Sequence, residues 1–477
     1  MQSRTQDEDP TRRRWSGIAD VLAAHQLMLA EIGTIDEPAA KITLGAVGRV
    51  CGESPAGSAT ILAEVSAFDE RCDAVSPPEA GGVARLGRGV LDVAATVARM
   101  LLRDDLLAFA ERSAAVRAVL LRSAGANVVT IMSAVVDGVA AQPTTYGHLL
   151  GGAIAPLGRS QRALETAWTA VDESPLGAGS LASTGLENDR GRTAALLGFD
   201  RAMGNTFDAV SAVDHVQACA TACRSAVQPI RRFLEEIVTL IRTEPGAVRL
   251  SDRWIGGLAD LPHHSAPDGI VRLIALGRSV EAQAVGVWSA GDAAPFGPVA
   301  AALDGMLDAT LSVLAAATRF CDDARAVFDD GFEMNRAYLA NRAGRGLATG
   351  GDLADFLMLE EQLDPESARN IAALTIARAR DQGLDASAIT VAAIDTAALM
   401  TFGRELKVEV EAISRYLAPR RFVERRTAAG APSPSSTRLY LETEQRALDA
   451  DVRWREDRSA RLRQAREHLR GAMAGSD

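Results

Sequence analysis

Apolar residues recur at three- and four-residue steps over much of this chain. After Gly89 the sequence runs VLDVAATVARMLLRDDLLAFAERSAAVRAVLLRSAGA, in which Leu91, Ala95, Ala98, Leu102, Leu106 and Phe109 keep that spacing and no proline interrupts it. One long, very apolar helix is predicted there. Val299 to Phe320 repeats the pattern, and IRRFLEEIVTLIRTE after Pro229 predicts a third helix. Helices that are apolar round most of their circumference need cover on several sides, in the middle of a bundle or at a subunit interface. The alternation that marks strands is nearly absent, and only the stretch from Ala247 to Leu250 has the character of a brief one. The fold class is therefore all-α.

Turn-forming residues divide the helical stretches. SPPEAGG, Ser76 to Gly82, precedes the first long helix, and NRAGRGLATGGD, Asn341 to Asp352, follows the last central one. Three regions are expected: an N-terminal helical domain 1–90, a central long-helix bundle 91–348, and a C-terminal helical domain 349–477 that ends in a charged helix from about Thr437. The alternating signs of that last helix read as a solvated face, with Leu462 and Leu469 free to dock on a partner.

Composition removes several classes of function. A chain of 477 residues with 47% apolar content is long enough for large cores, and a net charge of −11 leaves no footprint for nucleic acid. The opening residues lack the apolar segment of a secretory signal, and no run approaches the roughly 18 apolar residues of a membrane span. A cytoplasmic protein with no membrane or nucleic-acid partner is expected. Cys51, Cys72, Cys219, Cys223 and Cys321 are scattered and odd in number, which fits reduced thiols. Cys219 and Cys223 can share a helix face, but with no third ligand nearby they read as buried packing groups and no metal is expected. Lysine occurs only at Lys41 and Lys407, so most of the chain has no amine for a Schiff base.

The stretch from Gly179 to Val216 is the most informative. Its DRGRTAALLGFD, followed by N-x-x-DAVS-x-x-D, resembles the central region of argininosuccinate lyases, members of the fumarase/aspartase superfamily. HQLMLAEIGTID (His25 to Asp36), LGRGVLDVAATVARMLLRD (Leu86 to Asp104) and TIMSAVVDGVAAQPTTYGH (Thr130 to His148) resemble further segments of that family. So do GGDLADFLMLEE and LAPRRFVERRTAAGAPS near the C-terminus. The resemblance implies a three-region subunit whose central long helices assemble into a tetramer. It also implies elimination of a leaving group from a succinyl moiety to release fumarate, with no cofactor. In the family a serine in a mobile loop, S-S-x-M-P-x-K-x-N-P, removes a proton next to a carboxylate, a Thr-His pair assists, and the asparagine of T-G-R-S-R-N-D helps to bind substrate.

Position by position, the reactive groups differ. Alignment on Pro262, Pro267 and Asp268 puts Leu258 and Ala259 at the two serines, Leu261 at the methionine, His264 at the lysine and Ala266 at the asparagine. Val136 and Asp137 take the places of the assisting threonine and histidine. Arg88 and Asp92 keep their motif, but Val90 and Leu91 replace its second arginine and its asparagine. Gln142, His148, Arg192 and Asn205 are retained. Asp137, His263, His264 and Ser265 are accordingly the candidate catalytic groups, and Arg88, Gln142, His148, Arg192 and Asn205 the candidate contacts to a small carboxylate substrate. Imidazoles in such a loop suit proton transfer or carboxylate binding; the plain alternative is two surface histidines in a decayed loop. The retained polar groups have an equally plain alternative, since a helical bundle's buried polar groups need one another's hydrogen bonds. Two functions stay open: a lyase-type enzyme of altered chemistry on a carboxylate substrate in a specialised biosynthetic pathway, and a non-catalytic homologue that acts as a binding or structural partner.

Overall fold

The computed structural model describes residues 9–55, 60–258, 260–298 and 300–475. Several helices begin where a side chain can accept from a free amide of the first turn. Asp9, Asp36 and Thr60 cap α1 (Pro10–Glu31), α2 (Glu37–Gly52) and α3 (Ile61–Val75) in this way. The apolar run after Gly89 forms α4 (Val90–Ala126), 37 residues without a break. At 1.5 Å per residue it is about 56 Å long. A hairpin, Ile131–Val136 paired with Val139–Thr145, leads into α5 (Tyr146–Val171), which Thr145 caps.

The short helices α6 (Arg190–Leu196) and α7 (Thr206–Ser211) precede α8 (Asp214–Thr243). Pro229 lies inside α8, so the helix expected to start after that proline, at Ile230, begins sixteen residues earlier, at Asp214. A second hairpin, Gly256–Leu258 with Leu261–Ala266, enters α9 (Asp268–Asp292), and α10 (Ala300–Ala326) and α11 (Arg336–Arg342) follow. The C-terminal segment comprises α12 (Gly351–Leu359), α13 (Pro365–Asp381), α14 (Val391–Phe402), α15 (Val410–Leu417), α16 (Pro419–Glu424) and α17 (Pro434–Ala474).

The all-α class holds. Its strands are short two-stranded pairs, among them Val248–Leu250 with Phe332–Met334, where the brief strand was expected. The two hairpins were not expected.

Helices α4, α5, α8, α9 and α10 pack side by side, and one continuous core runs from Trp15 and Phe68 through Phe109 to Phe320. Cys219, Cys223 and Cys321 lie in it, fully buried, and burial pushes their thiols up. A second core, around Phe356, Ile371, Ile394 and Leu417, gathers α12 to α15. Helix α17 then returns to the first core, where Leu462 and Leu469 are buried against this same chain and do not dock on a partner.

Cover for α4 also comes from within the subunit. Leu102, Leu106 and Phe109 are wholly buried by α5, α10 and α17, so the apolarity of that helix is no argument for assembly. Apolar side chains that do face outward include Val271, Val285 and Trp288 on α9 and several on the two hairpins, with others, such as Phe296, Leu359, Met400 and Leu439, elsewhere. Among the described residues no helix is long and apolar enough to cross a membrane.

Candidate functional site

The hairpin after α4 is built by its sequence: valines flank Asp137–Gly138, and both turn residues have positive φ, 51° and 80°. A two-residue turn with that twist favours Asp followed by Gly. Asp137 therefore stands exposed at the tip, with Val136 62% and Val139 69% exposed beside it. The strands dock on α5, α11 and α16.

The segment aligned with the family's mobile loop is an ordered hairpin here, Gly256 opposite Ala266 and Leu258 opposite Leu261, seated at the start of α9. His263 and Ser265 are exposed, and the period of two puts them on the same face of their strand as Leu261. His264 lies in the same strand. Leu258, at the first serine position, is 53% exposed, and Ala259 lies outside the described residues.

The candidate substrate contacts are dispersed. Arg88 is turned inward: Nε donates to the Ala84 carbonyl at 2.9 Å, and Nη1 and Nη2 donate to the Asp69 carboxylate at 3.3 and 2.5 Å. This buried ion pair ties α3 to the start of α4. Arg192 donates to both oxygens of Glu31, at 2.6 and 2.7 Å, and thereby links α6 to α1. Asn205 caps α7, its Oδ1 accepting from the amides of Phe207 and Asp208 at 2.9 and 3.2 Å. Leu91, where the family has its asparagine, lines a small cavity of ≈ 50 Å³ with Arg99 and His215.

Gln142 and His148 do come together. They line a half-open pocket of ≈ 460 Å³ between the first hairpin, α5, α16 and α17. His148 Nε2 donates to the Gly430 carbonyl at 3.0 Å, which leaves Nδ1 to accept from the Thr144 hydroxyl at 2.8 Å. Across the pocket stand Arg426, Thr437 and Tyr440. Burial, with Glu444 nearby, pushes the Tyr440 phenol up to about 12, so it stays a donor, to the Gly151 carbonyl at 3.3 Å. These three residues were not singled out from the sequence. They lie nearly three hundred positions from Gln142, and no local pattern joins the two segments.

Comparison with known proteins places the fold and the family. The sequence model of a family described as lyase matches residues 58–275. An argininosuccinate lyase from Methanoculleus marisnigri is 30% identical over 96% of this chain and 92% of its own. Among solved structures, a variant of EDDS lyase with bound fumarate superposes with a TM-score of 0.84 at 24% identity, covering 98% of this chain and 92% of that one. The 3-carboxy-cis,cis-muconate lactonizing enzyme from Pseudomonas putida superposes with a TM-score of 0.73 at 18% identity, covering 91% and 95%. With a relative this similar along nearly the full length of both chains, and the same helical scaffold, the chain belongs to the argininosuccinate lyase family, as a divergent member within the fumarase/aspartase superfamily.

Proposed function

We propose that this chain is a lyase-type enzyme acting on a carboxylate-bearing substrate, in a specialised biosynthetic pathway, by chemistry other than argininosuccinate cleavage. The observation that carries the reading is the setting of the new ionisable groups. Asp137 and His263 stand on two hairpins whose outward neighbours, Val136, Val139 and Leu258, are apolar and exposed. Apolar side chains around polar groups are what an interface covers. The two hairpins dock on different helices of the subunit; in this proposal they meet between subunits of a homotetramer, and the site is complete only there.

In such a site the Asp137 carboxylate removes the proton from the carbon next to the substrate carboxylate. The electron pair forms the carbon–carbon double bond as the leaving group departs, and His263 or His264, as imidazolium, gives that group its proton with Ser265 at hand. The products are an unsaturated carboxylate and an amine or alcohol, and the reverse addition follows the same path. Fumarate in the structurally similar EDDS lyase variant supports this substrate class.

A second reading has its own observation. Asp–Gly serves the hairpin turn without any chemistry, which suits a non-catalytic homologue.

The experiment uses the tetramer, checked by light scattering for four times the 50.2 kDa subunit mass. Fumarate is incubated with a panel of amines and its consumption followed by NMR, and argininosuccinate is tested separately for fumarate release. Expected are consumption with at least one amine and no release from argininosuccinate. Asp137→Asn keeps the turn but should lower turnover by about 10²-fold or more, as should His263→Ala. Turnover by Asp137→Asn at the parent rate would take that carboxylate out of the chemistry, whereas no consumption with any amine, or a monomer in solution, would favour the non-catalytic reading.

A further inference from the structure

The buried arginines on and beside α4 are matched by carboxylates, with one exception. Arg88 is held by Asp69, and Arg103 donates to Asp172 at 3.1 Å and to the Leu197 and Gly198 carbonyls at 3.0 and 2.9 Å. Arg117 pairs with Glu444 and Asp451, both at 2.7 Å. Arg99 is as deeply buried, 2% exposed, and has no ion pair among the described residues. Its one hydrogen bond there runs from Nη1 to the Ala170 carbonyl in the last turn of α5, and Nε is enclosed without a partner. The acids whose charge reaches it stand apart: Asp208 and Asp214 are exposed, and Glu173 is held by Arg201. A guanidinium stays protonated, and a buried charge without a counter-ion is strongly unfavourable. Buried histidines repeat the contrast. His25 donates to the Leu86 carbonyl, whereas His215, 8% exposed, has no hydrogen-bond partner among the described residues, and its Nδ1 is enclosed.

These two side chains meet at the small cavity beside Leu91, which both of them line. With Arg99 Nε and His215 Nδ1 sealed off, Arg99 Nη2 and His215 Nε2 are the nitrogens left for a ligand. Burial, with Arg99 nearby, lowers the His215 pKa, so the ring is neutral and donates from Nε2 when its one proton sits there. The wall is otherwise mostly apolar, from Leu91, Ala95, Ala98, Val213 and Leu307 among others. One acid, Asp304, also lines it but is engaged on another side: Oδ1 accepts from the Ile61 amide at 3.3 Å, and its charge faces Arg14. Water would give the two nitrogens partners and leave the charge of Arg99 unmet. An anion supplies both. The cavity measures ≈ 50 Å³, and at about 10–15 Å³ for each water-sized group it takes about four or five non-hydrogen atoms.

We propose that this cavity binds a short aliphatic monocarboxylate, its carboxylate accepting from Arg99 Nη2 and His215 Nε2 and its chain against Leu91, Ala95 and Leu307. The assignment does not rest on the chemistry proposed for Asp137.

Calorimetric titration of the full-length protein at constant ionic strength tests it, with propanoate, the neutral propanamide of the same shape, hexanoate and chloride as probes. Propanoate should bind at least about tenfold more tightly than propanamide, because a guanidinium favours the charged form. Hexanoate is too long for the cavity and should also bind at least about tenfold more weakly. Chloride cannot use the apolar wall and should bind at least about threefold more weakly. Arg99→Met keeps a long side chain without the charge and should abolish binding. Ala95→Leu fills the cavity with Arg99 in place and should weaken propanoate at least about tenfold while keeping a cooperative thermal transition. It decides the matter if Arg99→Met does not fold. His215→Phe removes one donor and should weaken propanoate about threefold or more. Asp137→Asn should bind propanoate as the parent does; loss of binding there would put the acid at the other site and overturn the proposal. Propanamide, hexanoate or chloride binding as tightly as propanoate, or parental affinity in Arg99→Met or Ala95→Leu, would overturn it too. So would no binding of propanoate at millimolar concentration, which would mean that water alone fills the cavity.

Discussion

The carboxylate of Asp92 accepts from the amides of Gly89 and Val93 at the head of α4, and from those of Gly177 and Gly179 across the fold, all at 2.8 to 2.9 Å. It is wholly buried. Arg88, four residues before it, is spent in the same way on Asp69. The motif residues this chain keeps at the start of α4 thus hold the frame in place. Asp92→Ala leaves buried amides without an acceptor and should cost about 3 kcal/mol or more, read as a lower urea midpoint. Asp137→Asn, on an exposed turn that asparagine also suits, should shift stability by less than about 0.5 kcal/mol. The pair of measurements separates residues that build from residues that are free to react.

Among the elements, α17 is the plainest case of a charged helix with a structural duty. Leu441, Leu448, Leu462, Leu469 and Met473 form its buried stripe, while Arg466 reaches Asp104 at 2.6 Å on α4. Leu469→Ala should cost about 2–5 kcal/mol of unfolding free energy, against almost nothing for Leu439→Ala on the exposed side, where Leu439 is 62% exposed. The long helices were legible in the sequence because their apolar residues keep a helical spacing over twenty or more positions. The hairpin at 131–145 was missed although Asp–Gly between valines is its signal, because its strands are mostly exposed and short apolar runs look alike in helix and strand. The pocket that joins His148 to Gly430, 282 residues apart, leaves no local trace at all. Nor does the inward turn of Arg88: a guanidinium reads the same in a sequence whether it meets Asp69 or a ligand.

For the whole molecule, buried ionisable groups set the response to acid. Burial, with Arg88 nearby, lowers His25 to about 4, and its Nε2 donates to the Leu86 carbonyl at 2.7 Å. His215, buried beside Arg99, is lowered as well. In the unfolded chain both imidazoles protonate near pH 6.5, so between that pH and about 4 the unfolded state takes up protons the fold refuses, and stability falls as pH falls. Asp20 works the other way: burial raises it to about 6, so its contribution is present at low pH and is lost as pH rises through that value. Replacing His25 by Gln should reduce the slope of stability against pH in the window from 6.5 to 4 by about one proton, as measured by urea titrations across it. An unchanged slope would mean that the imidazole is charged inside the fold.

The placement of α17 also fixes an order of events during synthesis. The core begun by Trp15 and Phe68 lacks a stripe of five apolar side chains until a helix starting at Pro434 has left the ribosome. The pair Arg466–Asp104 joins residues 362 apart in sequence. Contacts of such separation are slow to form and leave apolar surface uncovered while they wait. The face of α4 that α17 covers therefore stays open in the nascent chain from the synthesis of α4 until the last part of the chain is made.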